Sequence, residues 1–201
     1  MGVRDTTATG TAAHCPVWWF DSGRVCLDLL ATHVRGAELL RGPGELESWL
    51  RGAGLVPAGT RLDGVTGEWV EGFRELRRLL VELVEGGCPD GDLDTVNSLA
   101  SAAPPAPRAI RAPDGTLAYA LAAEPRCEQL LAVVARDAVA LLTDPAARSC
   151  LRRCEGDNCA RLYLDTSRGR RRRWCSSEVC GNRERVARHR RRAAVTAAAR
   201  A

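Results

Sequence analysis

Two close pairs of cysteine constrain this chain more than anything else in it: Cys154-Glu-Gly-Asp-Asn-Cys159 and Cys175-Ser-Ser-Glu-Val-Cys180, separated by fifteen residues that contain no cysteine. Two short knuckles joined by an insert long enough for a hairpin supply four soft ligands to one tetrahedral ion. Zinc takes four thiolates at about 2.3 Å, and such a module folds around its metal with little hydrophobic core. Cys154, Cys159, Cys175 and Cys180 are therefore the expected ligands of one structural Zn2+. An iron–sulfur cluster is the alternative use of four cysteines.

The chain has 201 residues, enough for one ordinary domain plus a small module. With aromatics at only 4%, the core must be built mainly from Leu, Val and Ala, which favours helices. All 29 basic residues are arginine, and they are unevenly placed. Residues 1–150 hold 14 Arg against 20 acids, a balance of −6, whereas 151–201 hold 15 against 5, a balance of +10. An acidic body with a basic end is the asymmetry expected where one end meets a polyanion. Residues 1–13 lack the apolar run of a secretory signal, and no stretch is long and apolar enough for a membrane span, so a cytoplasmic protein is expected. In that reducing setting the nine cysteines point to metal for some and burial for the rest.

Residues 1–22 read as a flexible leader ending in the apolar patch Val17, Trp18, Trp19 and Phe20. Asp21 and Ser22 are helix-cap candidates, and Val25, Cys26, Leu27, Leu29, Leu30 and Val34 surround nearly the whole circumference of a helix. Asp28 is the one acid in that run; it either occupies a narrow solvent strip, the commoner outcome, or is partnered inside. Further helices are expected over 45–51, 65–85 and 92–102, and from Pro125 to near Asp144. The helix over 65–85 carries Trp69, Phe73, Leu76, Leu80 and Leu83 on one seam and Arg77 on the polar side. Two short runs around Pro113-Asp114-Gly115 predict a hairpin. The expected fold is thus mainly α with one small β-hairpin in a body spanning 23–147, and a four-cysteine zinc finger of treble-clef or zinc-ribbon type over 150–201, followed by a basic helix.

Within the finger, residues 161–165 have β character and 170–174 return toward the second knuckle, a hairpin between the two pairs. Asn182 can cap a helix from Arg183 to about Arg200. At 100° per residue, Val186, His189, Ala193 and Ala197 form a seam suited to packing on the module. Arg185, Arg188, Arg191 and Arg192 take the opposite side, with Arg183 and Arg190 on the flank. Together with Arg170, Arg171, Arg172 and Arg173, these make two basic clusters suited to phosphate, hence to DNA, with RNA or an acidic protein as the alternative partner. Cys15, Cys26, Cys88 and Cys127 read as buried small apolar residues; for Cys150, nearer the set, a role as spare ligand or redox partner is the minor alternative. His14, His33 and His189 share no spacing, and no nucleophile–base pair appears, so an enzyme is not expected.

The segments Cys154-x4-Cys159, Leu162-Tyr163-Leu164-Asp165-Thr166-Ser167, Arg173-Trp174-Cys175-Ser176 and Cys180-Gly181-Asn182-Arg183 resemble the CGNR zinc-finger family over about 40 residues. Upstream, Leu27-Asp28, Thr32 and Trp49-Leu50 resemble the ABATE domain that accompanies this finger in bacterial stress-induced transcription regulators. Leu29 and Ala31 stand where that domain usually has Phe and Asn. The resemblance implies zinc on the four cysteines, DNA binding by the finger, and a sensing or dimerising body with an unknown small-molecule or protein effector, Asp28 and Thr32 being its candidate ligand or partner residues. It also suggests supporting roles near the metal for Asp165, Trp174 and Asn182, with Asp165 paired to Arg183 and Trp174 packed over the hairpin. Removing the metal is expected to unfold the finger and leave the helices intact.

Overall fold

The computed structural model describes residues 18–198 apart from positions 88 and 158. Expectations for the leader before Trp18, for His14, Cys15 and Val17, and for Cys88 lie outside those residues.

Two long helices carry the body. α3 (Gly67–Glu85) buries Val70, Phe73, Leu76, Leu79 and Leu80, positions recurring at three and four, and stops where Gly86 adopts the left-handed conformation at φ +82. α5 (Cys127–Thr143) faces it with Leu130, Leu131, Val134, Ala135, Ala138 and Leu141. The short α1 (Val25–Leu30) packs on both and is buried at Cys26, Leu27, Asp28 and Leu29. α2 (Pro43–Gly52) adds Trp49, whose ring meets Phe73 edge to face at 5.9 Å. α4 (Asp90–Ser101) lies along α5.

The expected helix through Val34 ends early. β1 (His33–Val34) pairs with β2 (Ala37–Glu38) around Arg35 and Gly36, which have φ of +54 and +74. Two left-handed residues in a two-residue loop match the strand twist. Gly36 is the visible signal, but arginine in place of the usual Asn or Asp hides the turn. The predicted hairpin is present as β3 (Pro107–Arg111) and β4 (Leu117–Leu121) around Gly115. α6 (Pro145–Ser149) then leads into β5 (Leu151–Arg153), which is a strand rather than a link.

Two polar positions depart from expectation. Asp28 is buried, 8% exposed, instead of lying on a solvent strip; Ser22 donates to its Oδ1 through Oγ at 2.6 Å and through N at 3.4 Å. Burial pushes its carboxyl up to about 6 against the lowering effect of the Ser22 bonds. Arg77 is also buried rather than on the polar side. It donates to Thr32 Oγ1 at 2.7 Å and forks onto both oxygens of Glu38, whose carboxyl is held low by these bonds although burial raises it. Thr32 Oγ1 in turn donates to Leu29 O at 2.6 Å. Thr32 thus ties α1 and the small hairpin to α3, and Asp28 ties α1 to the segment before it. Both are engaged inside the protein.

Candidate metal centre and basic helix

The finger is built on a strand that serves two cores. β6 (Leu162–Leu164) pairs antiparallel with β5, Leu151 opposite Leu164 and Arg153 opposite Leu162. Side chains alternate along a strand. Leu162 and Leu164 therefore join the core of the helical body, while Tyr163, fully buried, faces the cysteines. The hairpin thus encloses the first knuckle, residues 154–159, instead of lying between the two pairs, because 151–153 rather than 170–174 supply the partner strand. Cys154 N donates to Arg161 O at 2.8 Å and closes the loop.

The second pair straddles a turn. Ser176 caps it, its Oγ accepting from Val179 N at 3.3 Å, and a π-helical turn over Ser177–Gly181 runs straight into α7 (Asn182–Ala198). Ser176 does the capping expected of Asn182, which already has helical dihedrals at φ −69 and ψ −43.

These elements bring the four sulfurs within 4.8 Å of one another, at 3.6 Å between Cys159 and Cys175 and 3.7 Å between Cys175 and Cys180. A tetrahedron with bonds of about 2.3 Å has edges of about 3.8 Å, so the set fits one zinc ion. A multi-iron cluster would hold its cysteines further apart. Among themselves the thiols are electrostatically frustrated. Neighbouring S–H donors, Cys175 first, hold Cys159 down to about 5, while that same bond and burial push Cys175 up, and burial raises Cys180 to about 11. The Cys159 thiolate forms easily, and those of Cys175 and Cys180 are opposed; a divalent cation resolves the conflict. With all four positions taken by sulfur, the site is structural and leaves none open for chemistry. Cys150 is outside this group and packs on the body core, as do Cys26 and Cys127, Cys26 buried and Cys127 half-buried.

Asp165 is fully buried and organises the return loop. One carboxylate oxygen accepts from Ser167 N and Oγ at 3.0 and 2.5 Å, the other from Arg172 N at 2.9 Å, which holds the carboxyl below its ordinary range. Its partners are these groups and not Arg183. Trp174 packs against the cysteine cluster with Arg173 over its ring at 5.2 Å.

The arginines divide into two sets. Arg172 lies over Tyr163 at 4.9 Å and donates to the carbonyls of Trp174 and Cys175, which removes it from the expected DNA-binding set. Arg173 pairs with Glu155 at 2.6 Å. Arg170 reaches Ser149 Oγ, and Arg185 reaches Ser177 O at 3.5 Å. Arg191 faces the module, 3.8 Å from Asp157 and 3.7 Å from Glu184, so the helix is rotated from the expected orientation. Glu184 and Ala187 are half-buried beside it, and Val186 and His189 are exposed. Arg171, Arg183, Arg188 and Arg190 are exposed with no partner among the described residues, and Arg192 is exposed further along.

A helical body closed by a four-cysteine zinc module that displays a basic helix defines the class: a zinc-finger protein with a fused helical domain. Family comparison gives the same division. Residues 23–145 match the ABATE family, described as "Putative stress-induced transcription regulator", and residues 150–193 match the CGNR zinc finger. The chain belongs to the ABATE family and carries a CGNR zinc finger. No curated protein matches it. Among the described residues no helix is long and apolar enough to cross a membrane.

Proposed function

We propose that this chain is a zinc-dependent, DNA-binding transcription regulator of the cytoplasm, with no catalytic activity of its own. The body would sense an effector or dimerise, and the finger would contact duplex DNA. The observation that carries this reading is α7: seventeen residues, about 25 Å long, fixed at one end by the turn that holds Cys180 and lined on its outer sides with Arg183, Arg188, Arg190 and Arg192. A helix of that kind fits a major groove and sets its cations against phosphates on either side. The charge split between body and finger and the regulator description of the family support it.

The test is binding-site selection from fragmented genomic DNA with the zinc-loaded chain, followed by a salt titration on the recovered duplex. The expected log–log slope is about −4 to −6, for roughly five or six phosphates. Neutralising Arg171, Arg183, Arg188 and Arg190 together should abolish recovery while zinc content stays at one per chain. Equal affinity for all duplexes with tighter binding to RNA, or a flat salt response, would overturn the reading.

A further inference from the structure

Two adjoining clefts run along the seam between body and finger, each of about 230 Å³. They share Val34, Arg35 and Arg161, so they form one groove that begins at Leu30 and Val81 and ends at Arg183, the second residue of α7. Together they reach the low end of the roughly 300–1,000 Å³ range of small-molecule sites. The floor is apolar, with Leu162 on one side and Val179 on the other.

The rim is cationic. The Arg161 guanidinium lies 6.0 Å from the Trp19 ring centroid, and its buried Nε has no hydrogen-bond partner among the described residues. A buried guanidinium N–H without an acceptor is an exception that calls for one. Arg35 enters from the β1–β2 turn at φ +54, a conformation that Asn or Gly adopts at lower cost, so the turn tolerates strain at a residue that lines the groove. Arg183 has no partner among the described residues. Arg153 also lines the groove but is paired with Glu85, the one acid there, at 3.1 Å.

We propose that this groove binds a small amphipathic anion: a carboxylate or phosphate monoester on a flat apolar body of about one or two rings. The head would take the terminal NH groups of Arg161 and the guanidinium of Arg183, with Arg35 beside them in the groove. The body would lie on Val34 and Leu162. The assignment deepens the regulator reading, because such a ligand joins three chain segments, one of them the first turn of the basic helix, and would change how many cations α7 offers to DNA.

The experiment uses the zinc-loaded full chain, 15N-labelled, with phenyl phosphate and benzoate as probes and benzamide as the neutral counterpart. Saturable shifts of the Trp19 indole and the Leu162 amide are expected with the two anions and absent with benzamide. Arg161→Met should weaken phenyl phosphate by about ten-fold or more, the loss of a charge-assisted bond, with zinc content retained. No saturable shift with either anion, or equal shifts with benzamide, overturns the proposal whatever the variant does. If duplex DNA alone shifts these signals and Arg161→Met lowers only DNA affinity, the groove belongs to the nucleic-acid surface and the proposal fails while the regulator reading stands. If DNA binding is absent but the anions bind, the regulator reading fails and the site remains.

Discussion

Residue identities act here through where they are buried, and Asp28 shows it most directly. Its carboxyl rests against Ser22 with its pKa raised to about 6 by burial, so the folded state holds a proton more tightly than the unfolded chain, where a carboxyl titrates near 4. A raised carboxyl favours folding below about pH 4, and the advantage disappears as pH rises through 6, leaving a cost of about 3 kcal/mol at neutral pH. Asp28→Asn keeps an acceptor for Ser22, a weaker one, and removes that cost. Urea unfolding of the zinc-loaded proteins should show the variant more stable by about 1–2 kcal/mol at pH 7.5, and the gap should shrink between pH 7 and 5. A constant gap, or a less stable variant, would refute this account. Asp165 works in the opposite direction: its lowered carboxyl supports folding above pH 4, and that support is lost as acid protonates it. Asp165→Ala should weaken zinc retention by about 10–100-fold in a chelator competition, because the return loop ahead of Cys175 loses its anchor. Unchanged affinity would remove Asp165 from the site. The sequence marks these acids as unusual but not how they are used. Asp28 stands alone in an apolar run, yet its partner Ser22 precedes the helix; Asp165 adjoins a knuckle, and its partners are mostly main-chain amides, which leave no trace in residue types.

At the scale of elements, hydrophobic periodicity locates α2 to α5 and turn chemistry the β3–β4 hairpin, since each writes its contacts as a local pattern. Such patterns are silent where contacts are distant or short. β5 has three residues, β1 and β2 two each, and nothing local marks residues 151–153 as the partner of β6. The rotation of α7 escapes for a related reason. The apolar seam through Val186 implies a docking face, but Arg191 with Asp157 and Glu184 sets the inner side instead. The outward arginines give a direct test: Arg188→Gln and Arg190→Gln, made singly, should each lower the salt slope of duplex binding by about 1 and leave zinc content unchanged. If neither alters the slope, α7 is not the contacting element.

For the whole molecule, body and finger keep separate cores joined by the one strand that contributes to both. Leu164 is 8% exposed within the body cluster, its N–H donates to Ser22 O at 2.8 Å, and its Cβ lies 3.6 Å from where a Cβ on Gly23 would stand. Gly23 has φ +85, so a larger residue is opposed there by its own backbone as well. The four cysteines disclose the module, but only the packing shows that it is not an appendage. Chelation is therefore expected to destabilise the helices too, contrary to the behaviour of a tethered finger: the melting transition followed by helical circular dichroism should move down as one step when zinc is removed. An unchanged transition for the body would show the coupling to be weak. Leu164→Ala should lower the same transition by the loss of about 2–5 kcal/mol, even with zinc bound. The alternation of β6 also has a consequence for biosynthesis. A ribosome delivers the body first, but the leucine that completes its core arrives only with residue 164, and the strand carrying it is held by a knuckle that needs Cys175 and Cys180. The last cysteine to emerge is thus the one that completes the site holding Leu164 in place, and limited proteolysis of chains translated without zinc is expected to cut the body faster than in chains translated with it.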